Sequence, residues 1–290
     1  MVESMGPTPT LARRFWEAIE PIHAIVYFAP EPAEAARQIG LRGFWMSYFA
    51  GRVAPMGAVP PESVTAMAYG FAPAMVVRAL PDAWEFADPA TVLDARITSA
   101  ARALRDNLDS AAIADIAELS GLLWDAVAGC RFEGRPLAAA WSSVSRPDDP
   151  AAAAWLATTI LREHRGDGHV LAAVAAGLRG LDATLTFVAT GAITREIIQP
   201  SRGWSDDDWD QSLRRLQARG ILDRDGRLTK TGGALRRDVE DLTDRLAAAP
   251  VELLGETGVE RAIALASPLS RHLIDIGIIP VPNPIGAPRP

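Results

Sequence analysis

The chain has 290 residues, 49% hydrophobic, 22% charged and 7% aromatic, which excludes intrinsic disorder and leaves room for two modest domains. Its 29 basic and 36 acidic residues give a net charge of −7, so no global positive field gathers a phosphate backbone or an anionic lipid surface. A single cysteine, Cys130, rules out an internal disulfide, a CxxC redox pair and a thiolate zinc site, and a single lysine, Lys230, leaves nearly all cationic work to arginine.

The first twenty residues lack a basic region followed by an apolar core, and LARRFWEAIE reads as the start of an amphipathic helix. The expected location is therefore cytoplasmic. His23 lies on that helix, with Glu20 one turn before it and Tyr27 one turn after it on the same face. A nine-residue segment, AARQIGLRG at 35–43, then returns as AAVAAGLRG at 172–180, with six identities. Twelve of the nineteen aromatic residues precede residue 90; Phe44, Trp45, Tyr48 and Phe49 form one broad helical face that suits either a core or an apolar pocket. Helix starts follow at Pro61, Pro73 and Pro81, but no Asp-Gly turn.

An apolar helix over Ile113–Val127 and the breakers Gly134-Arg135-Pro136 and Ser145–Pro150 lead to HRGDGH, residues 164–169. Its glycines predict a tight turn between helices that brings His164, Asp167 and His169 onto one site. Two imidazoles and a carboxylate are a candidate metal-binding or acid–base set, so a metal ion is the candidate cofactor. The alternative is a plain turn in which Asp167 caps the following helix and Arg165 pairs with a carboxylate. The most apolar stretch, Leu171–Ala192, contains Arg179 and Asp182, falls short of a membrane span and reads as buried helix.

Ser205 is an N-cap ahead of Asp206, Asp207 and Asp208; Trp209, Leu213 and Leu216 recur at helical spacing, and Gly220 closes the helix. Asp225-Gly226 predicts a hairpin between Ile221-Leu222 and Arg227–Thr229, and a long helix follows Thr231-Gly232-Gly233. Helix, two-stranded wing and helix is the order of a winged helix-turn-helix. Candidate DNA contacts are Arg214, Arg215, Arg224, Arg227 and Lys230, opposed by Asp206, Asp207, Asp208 and Asp210 at the start of the reading helix. A last helix over Glu256–Ile276 precedes a proline-rich tail. No P-loop, GxGxxG, GxSxG, HExxH or EF-hand pattern occurs.

The run LRRLQARGILDRDGRLTKTGGALRRDVEDLTDRLA resembles the recognition-helix, wing and dimerisation-helix segment of MarR-like winged-helix regulators. More closely, IEPIHAIVYFAPE, LREHRGDGHV, AGLRG and RGWSDDDW are similar to an actinobacterial family of SalK-like winged-helix proteins, over residues 12 to 250. That family commonly carries histidine where this chain has Ala72 and Ala151, so an activity needing those imidazoles is not expected here. The MarR resemblance implies a ligand crevice between dimerisation and DNA-binding parts.

The expected fold is mainly α, a tandem winged-helix pseudo-dimer in one chain with a small two-stranded wing in its C-terminal lobe. Residues 12–110 form a degenerate winged-helix lobe, 111–154 a helical bridge, 155–248 the second lobe, and 249–290 a C-terminal helix and tail. The expected role is binding of a small, largely apolar molecule by His23, Tyr27, Trp45, Tyr48, His164 and His169, as a regulator or regulator-derived sensor. The chain would act as a monomeric pseudo-dimer or a homodimer, without a membrane. The competing expectation is an enzyme with His23, His164, Asp167 and His169 as acid–base groups or metal ligands.

Overall fold

The computed structural model describes residues 7–290, and these are almost entirely helical. The N-terminal half begins with α1 (Pro7–Phe28), α2 (Pro30–Gln38) and α3 (Gly43–Val53), followed by a 3-10 turn at Ala54–Met56. Three short helices follow, each opened by proline or placed just after one: α4 (Pro61–Met67), α5 (Pro73–Ala79) and α6 (Ala83–Phe86). Next come α7 (Pro89–Asn107) and α8 (Ser110–Val127), capped by Asp88 and Asp109, whose carboxylates accept from Thr91 N and Ala112 N. α9 (Pro136–Ser142) leads to α10 (Pro150–Ala175), which Asp149 caps ahead of a proline in its first turn.

The C-terminal half consists of α11 (Gly180–Val188), α12 (Arg195–Arg202), α13 (Asp206–Ala218) and α14 (Lys230–Leu246). α15 (Ala248–Asp275) closes the fold, bent at Gly255 where φ is 74°. The Ser205 cap is present as expected, its hydroxyl accepting from Asp208 N at 3.1 Å while the Asp208 carboxylate reaches back, and Gly220 ends the helix at φ 66°.

Two apolar cores result. The larger is built from α1 to α9, the first half of α10, and α15, around the fully buried Trp141 and Trp155. α1 lies in its middle against α15, α10 and α7, which is why Ile19, Ile22, His23, Ala24 and Ile25 are buried on every side of the helix. The smaller core gathers Leu178 from the turn before α11, and Leu181, Leu185, Ile198, Trp209, Leu216 and Val239 from α11 to α14. α10 runs through both.

Three expectations change. The HRGDGH segment is not a turn, because α10 passes through it unbroken. Its glycines serve close packing: a Cβ on Gly168 would stand 3.0 Å from Arg135 Nη1 and 3.3 Å from Leu246 Cβ. Leu171–Ala192 is not one buried helix but the end of α10 and α11, bent by 97° after Gly177 (φ 66°), with Val174 exposed. The two-stranded wing is reduced to a tight turn closed by one antiparallel bridge, Leu222 to Leu228, and no strand occurs among the described residues. There the Asp223 carboxylate takes the amides of Asp225 and Arg227, both at 2.9 Å, and Thr229 already caps α14, so the chain has no length left for a ladder. No single helix among the described residues is long and apolar enough to cross a membrane.

Candidate functional site

Where the two cores meet, a cavity of about 580 Å³ opens between α1, α3, the α4–α5 turn, the middle of α10, α11, the end of α12, α14 and the tail at Pro284–Gly286. Its size lies within the range usual for small-molecule sites. The proline-rich tail does not hang free: Asn283 is buried, its side chain bonding Pro280 O and Ala287, and this segment forms one wall.

Two charge networks line the cavity. In the first, Glu163 on α10 joins Arg52 of α3 (2.6 Å) and Arg162 (2.8 Å), and Arg162 continues to Glu20 of α1 at 3.1 Å. Burial pushes the Glu163 carboxyl up, but the two guanidinium groups outweigh it and hold it below its ordinary value. Glu20 has one guanidinium and the Trp16 indole N–H, so burial wins and its pKa is raised. Tyr48 stands beside Arg52; burial acts to raise its pKa, but Arg52, Arg162 and Arg202 together bring it down. In the second network, Arg13 of α1 and Arg165 of α10 both reach Asp244 of α14 at 2.7 Å, and Arg236 pairs with Glu240. Arg165 thus has the carboxylate that the plain reading of HRGDGH gave it. Arg202 differs from these: it lies over the Phe71 ring at 4.5 Å, donates to the Pro284 carbonyl at 2.5 Å, and has no carboxylate partner among the described residues.

The sequence-predicted ligand residues separate. Tyr48, Asp167 and His169 line the cavity; Tyr27 lines a smaller one beside it; His23, Trp45 and His164 line neither. His23 is fully buried on the α1–α10 contact. Its Nδ1 donates to Thr159, whose hydroxyl donates onward to Trp155 O, and its Nε2 accepts from Tyr27. Both ring nitrogens are satisfied in the neutral form, and burial, with Arg162 and Arg96 nearby, drives its pKa well below the usual value. Trp45 packs against Tyr48 and Phe71. His164 accepts from Arg131 N at 3.3 Å and burial lowers its pKa to about 3. Asp167 caps α9 from a distant part of the chain, accepting from Leu137 N and Ala138 N at 3.1 and 3.0 Å; burial raises it to about 6. His169 donates to Thr243, and burial lowers its pKa to about 4. His164, Asp167 and His169 therefore point to three different partners, and among the described residues no group of three His, Cys, Asp or Glu side chains stands where it could hold a metal ion. Burial also lifts the Cys130 thiol to about 12, which leaves it a poor nucleophile.

On the outer surface, α12 and α13 are joined by a short turn at 203–205 in which Gly203 adopts φ 72°. Two helices joined by a short turn containing glycine is the element order of a helix-turn-helix. A helix-turn-helix family model matches residues 12–280. The chain belongs to this helix-turn-helix family. No curated protein and no solved structure matches it. On the helix-turn-helix surface Arg214, Arg224, Arg227 and Lys230 are exposed, and Arg227 pairs with Asp225. Arg215 is committed to the buried Asp182 of α11 at 2.9 Å. Asp207, Asp208 and Asp210 are exposed on the same helix, and Asp206 is held by Arg195.

Sequence reasoning missed Arg52, Arg162, Glu163 and Arg202. One local signal was available for the first: Arg52 follows Tyr48 by one helical turn, which places both on the inward face of the aromatic helix.

Proposed function

We propose that this helix-turn-helix protein binds a small, largely apolar molecule in the cavity between its halves, as a regulator or regulator-derived sensor. The observation that carries the reading is the cavity itself, walled by both halves and the tail, with Phe71, Met67 and Phe187 as apolar surface and Arg202 as a donor not neutralised by any carboxylate of the described residues. A ligand with an acceptor group for Arg202 and an apolar body fits it.

The reading extends to a single-chain pseudo-dimer of related winged-helix lobes, 12–110 and 155–248, the second MarR-like, bridged by 111–154. The repeated nine-residue segments support it by forming the same turn: Leu41 N donates to Ala36 O, and Leu178 N to Ala173 O, each at 3.0 Å, after Gly40 and Gly177 with positive φ. The α4–α5 and α12–α13 turns also face each other, with Ala72 N donating to Arg202 O (2.8 Å) and the Trp204 indole to Gly70 O (2.9 Å). DNA contact belongs in this reading to Arg214, Arg224, Arg227 and Lys230, against the repulsion of the acidic first turn of α13.

Melting-temperature screening against small organic acids and apolar metabolites tests the cavity. At least one class should raise the melting temperature, and Ala183→Phe, which fills the cavity, should abolish that rise. No shift with any compound, or one that survives in Ala183→Phe, removes the reading. A gel-shift assay on the gene's own upstream region tests the DNA part: binding should weaken steeply with salt and vanish in Arg227→Glu. No shift at low salt leaves a sensor without DNA contact.

A further inference from the structure

A second cavity, of about 300 Å³, lies on the other side of Tyr48, between α1, α2, α3 and α7. Its walls are mostly apolar, from Val26, Ala33, Ile39 and Val92, and one charged side chain of α7, Arg96, lines it. Arg96 retains only 9% of its exposure, yet among the described residues its guanidinium makes no ion pair and no hydrogen bond, and its Nε is buried without a partner. The rings of Tyr27 and Trp155 lie 5.3 and 5.7 Å from its Cζ. Gly51 makes room for it, since a Cβ there would stand 2.8 Å from Nη1. Burial draws its pKa below the ordinary arginine value, only partly offset by Tyr27.

A buried cation without an anion is among the least favourable states a side chain can occupy. The neighbouring Arg52 and Arg162 avoid it through Glu163 and Glu20, and among the described residues no carboxylate is left for Arg96. No carboxylate of the described residues supplies the missing charge. Ser47 and Ser99 give their hydroxyl protons to the carbonyls of Gly43 and Arg96, so the walls match one unit of negative charge rather than two. Arg37, exposed where the cavity meets the surface beside Phe44, offers a positive rim.

We propose that this second cavity binds a small monocarboxylate, its carboxylate forked onto Arg96 and its apolar body lying along α2 and α3. The bidentate geometry of guanidinium and carboxylate, at a side chain already buried, gives charge and shape recognition together.

Calorimetric titration of the full chain with octanoate, and with octan-1-ol as the uncharged counterpart, is the test. Octanoate should bind saturably and the alcohol roughly tenfold more weakly; Arg96→Met should remove roughly that same factor from octanoate alone. Without ligand, Arg96→Met should melt above the parent, because it removes an uncompensated charge. Unchanged octanoate affinity in Arg96→Met overturns the proposal, as does a lower melting temperature for that variant. Loss of octanoate binding in Ala183→Phe instead would place the carboxylate in the larger cavity and overturn it too. So would no binding of any probe from butanoate to decanoate or of benzoate.

Discussion

The helices that follow the two repeated segments use the same start to opposite ends. After Gly180, α11 turns its buried Asp182 toward its own half, where Ser212 donates to it at 2.5 Å and Arg215 at 2.9 Å, fastening α13 in place. After Gly43, α3 sends Arg52 to Glu163, on the stretch of α10 that lines the cavity where the two cores meet, and Tyr48 to the wall between two cavities. A shared local sequence fixes the backbone turn, while the buried charge that comes next decides whether a half closes on itself or opens onto its neighbour. The closed half keeps an outward helix-turn-helix; the open one supplies the aromatic and arginine walls.

Removing that charge on each side is the strongest way to break the comparison. Glu163→Ala leaves Arg52 and Arg162 buried with one partner fewer, and chemical denaturation should show a loss of about 3–5 kcal/mol. Asp182→Ala frees Ser212, the Arg179 N–H that caps α11 and a partly exposed Arg215, for about 2 kcal/mol. Equal losses would mean that the halves are not organised differently. The repeat's own glycines give the next contrast. A Cβ on Gly180 would overlap Tyr69 O, 1.7 Å away, so Gly180→Ala should cost roughly 3 kcal/mol and loosen the junction of the halves. Gly43 has nothing within 4 Å but sits at φ 73°, so Gly43→Ala should cost only about 1 kcal/mol, through backbone strain.

The C-terminal half was legible in the sequence because its signals are local: Ser205 and Asp208 lie three residues apart, Gly220 follows its helix directly, and Asp225-Gly226 makes its own turn. The junction was not. Gly166 and Gly168 carry the same letters as a turn, and only Arg135 and Leu246, brought there by other helices, show that Gly168 is a packing position inside α10. Arg52 and Glu163 stand 111 residues apart, so no spacing rule could pair them. The surroundings of the histidines were hidden for a related reason: burial keeps His23 and His169 neutral, and each pairs with a threonine whose own partner lies one helical turn away.

Acidity probes the junction between the halves. His169 has a folded pKa of about 4 against 6.5, so it protonates more readily in the unfolded chain; its stabilising effect is complete above pH 6.5 and is lost as the pH falls toward 4. At pH 4.5 that loss is roughly 2–3 kcal/mol. Asp167, two residues earlier, is raised from 3.8 to about 6 and has the opposite slope, stabilising below pH 3.8 and losing that effect as the pH rises through 6. Melts between pH 7 and 4.5 should therefore fall less steeply in His169→Asn than in the parent and more steeply in Asp167→Asn. Parallel curves for all three would place neither group in a dry junction.

The smallest contrast lies at the turns that face each other. α13 begins with the Ser205 hydroxyl on Asp208 N and the Asp208 carboxylate on Ser205 N, while α5 begins at Ala72 with no side-chain cap, although Ala72 has the same extended backbone, φ −64° and ψ 133°. Ser205→Ala should cost about 1 kcal/mol, and Ala72→Ser should return about half of that by giving the N-terminal turn the acceptor it lacks. Both changes leave the Ala72 N to Arg202 O bond between the turns in place. If Ala72→Ser destabilises instead, the N-terminal turn is packed too tightly for a hydroxyl, and the two turns differ in packing as well as in capping.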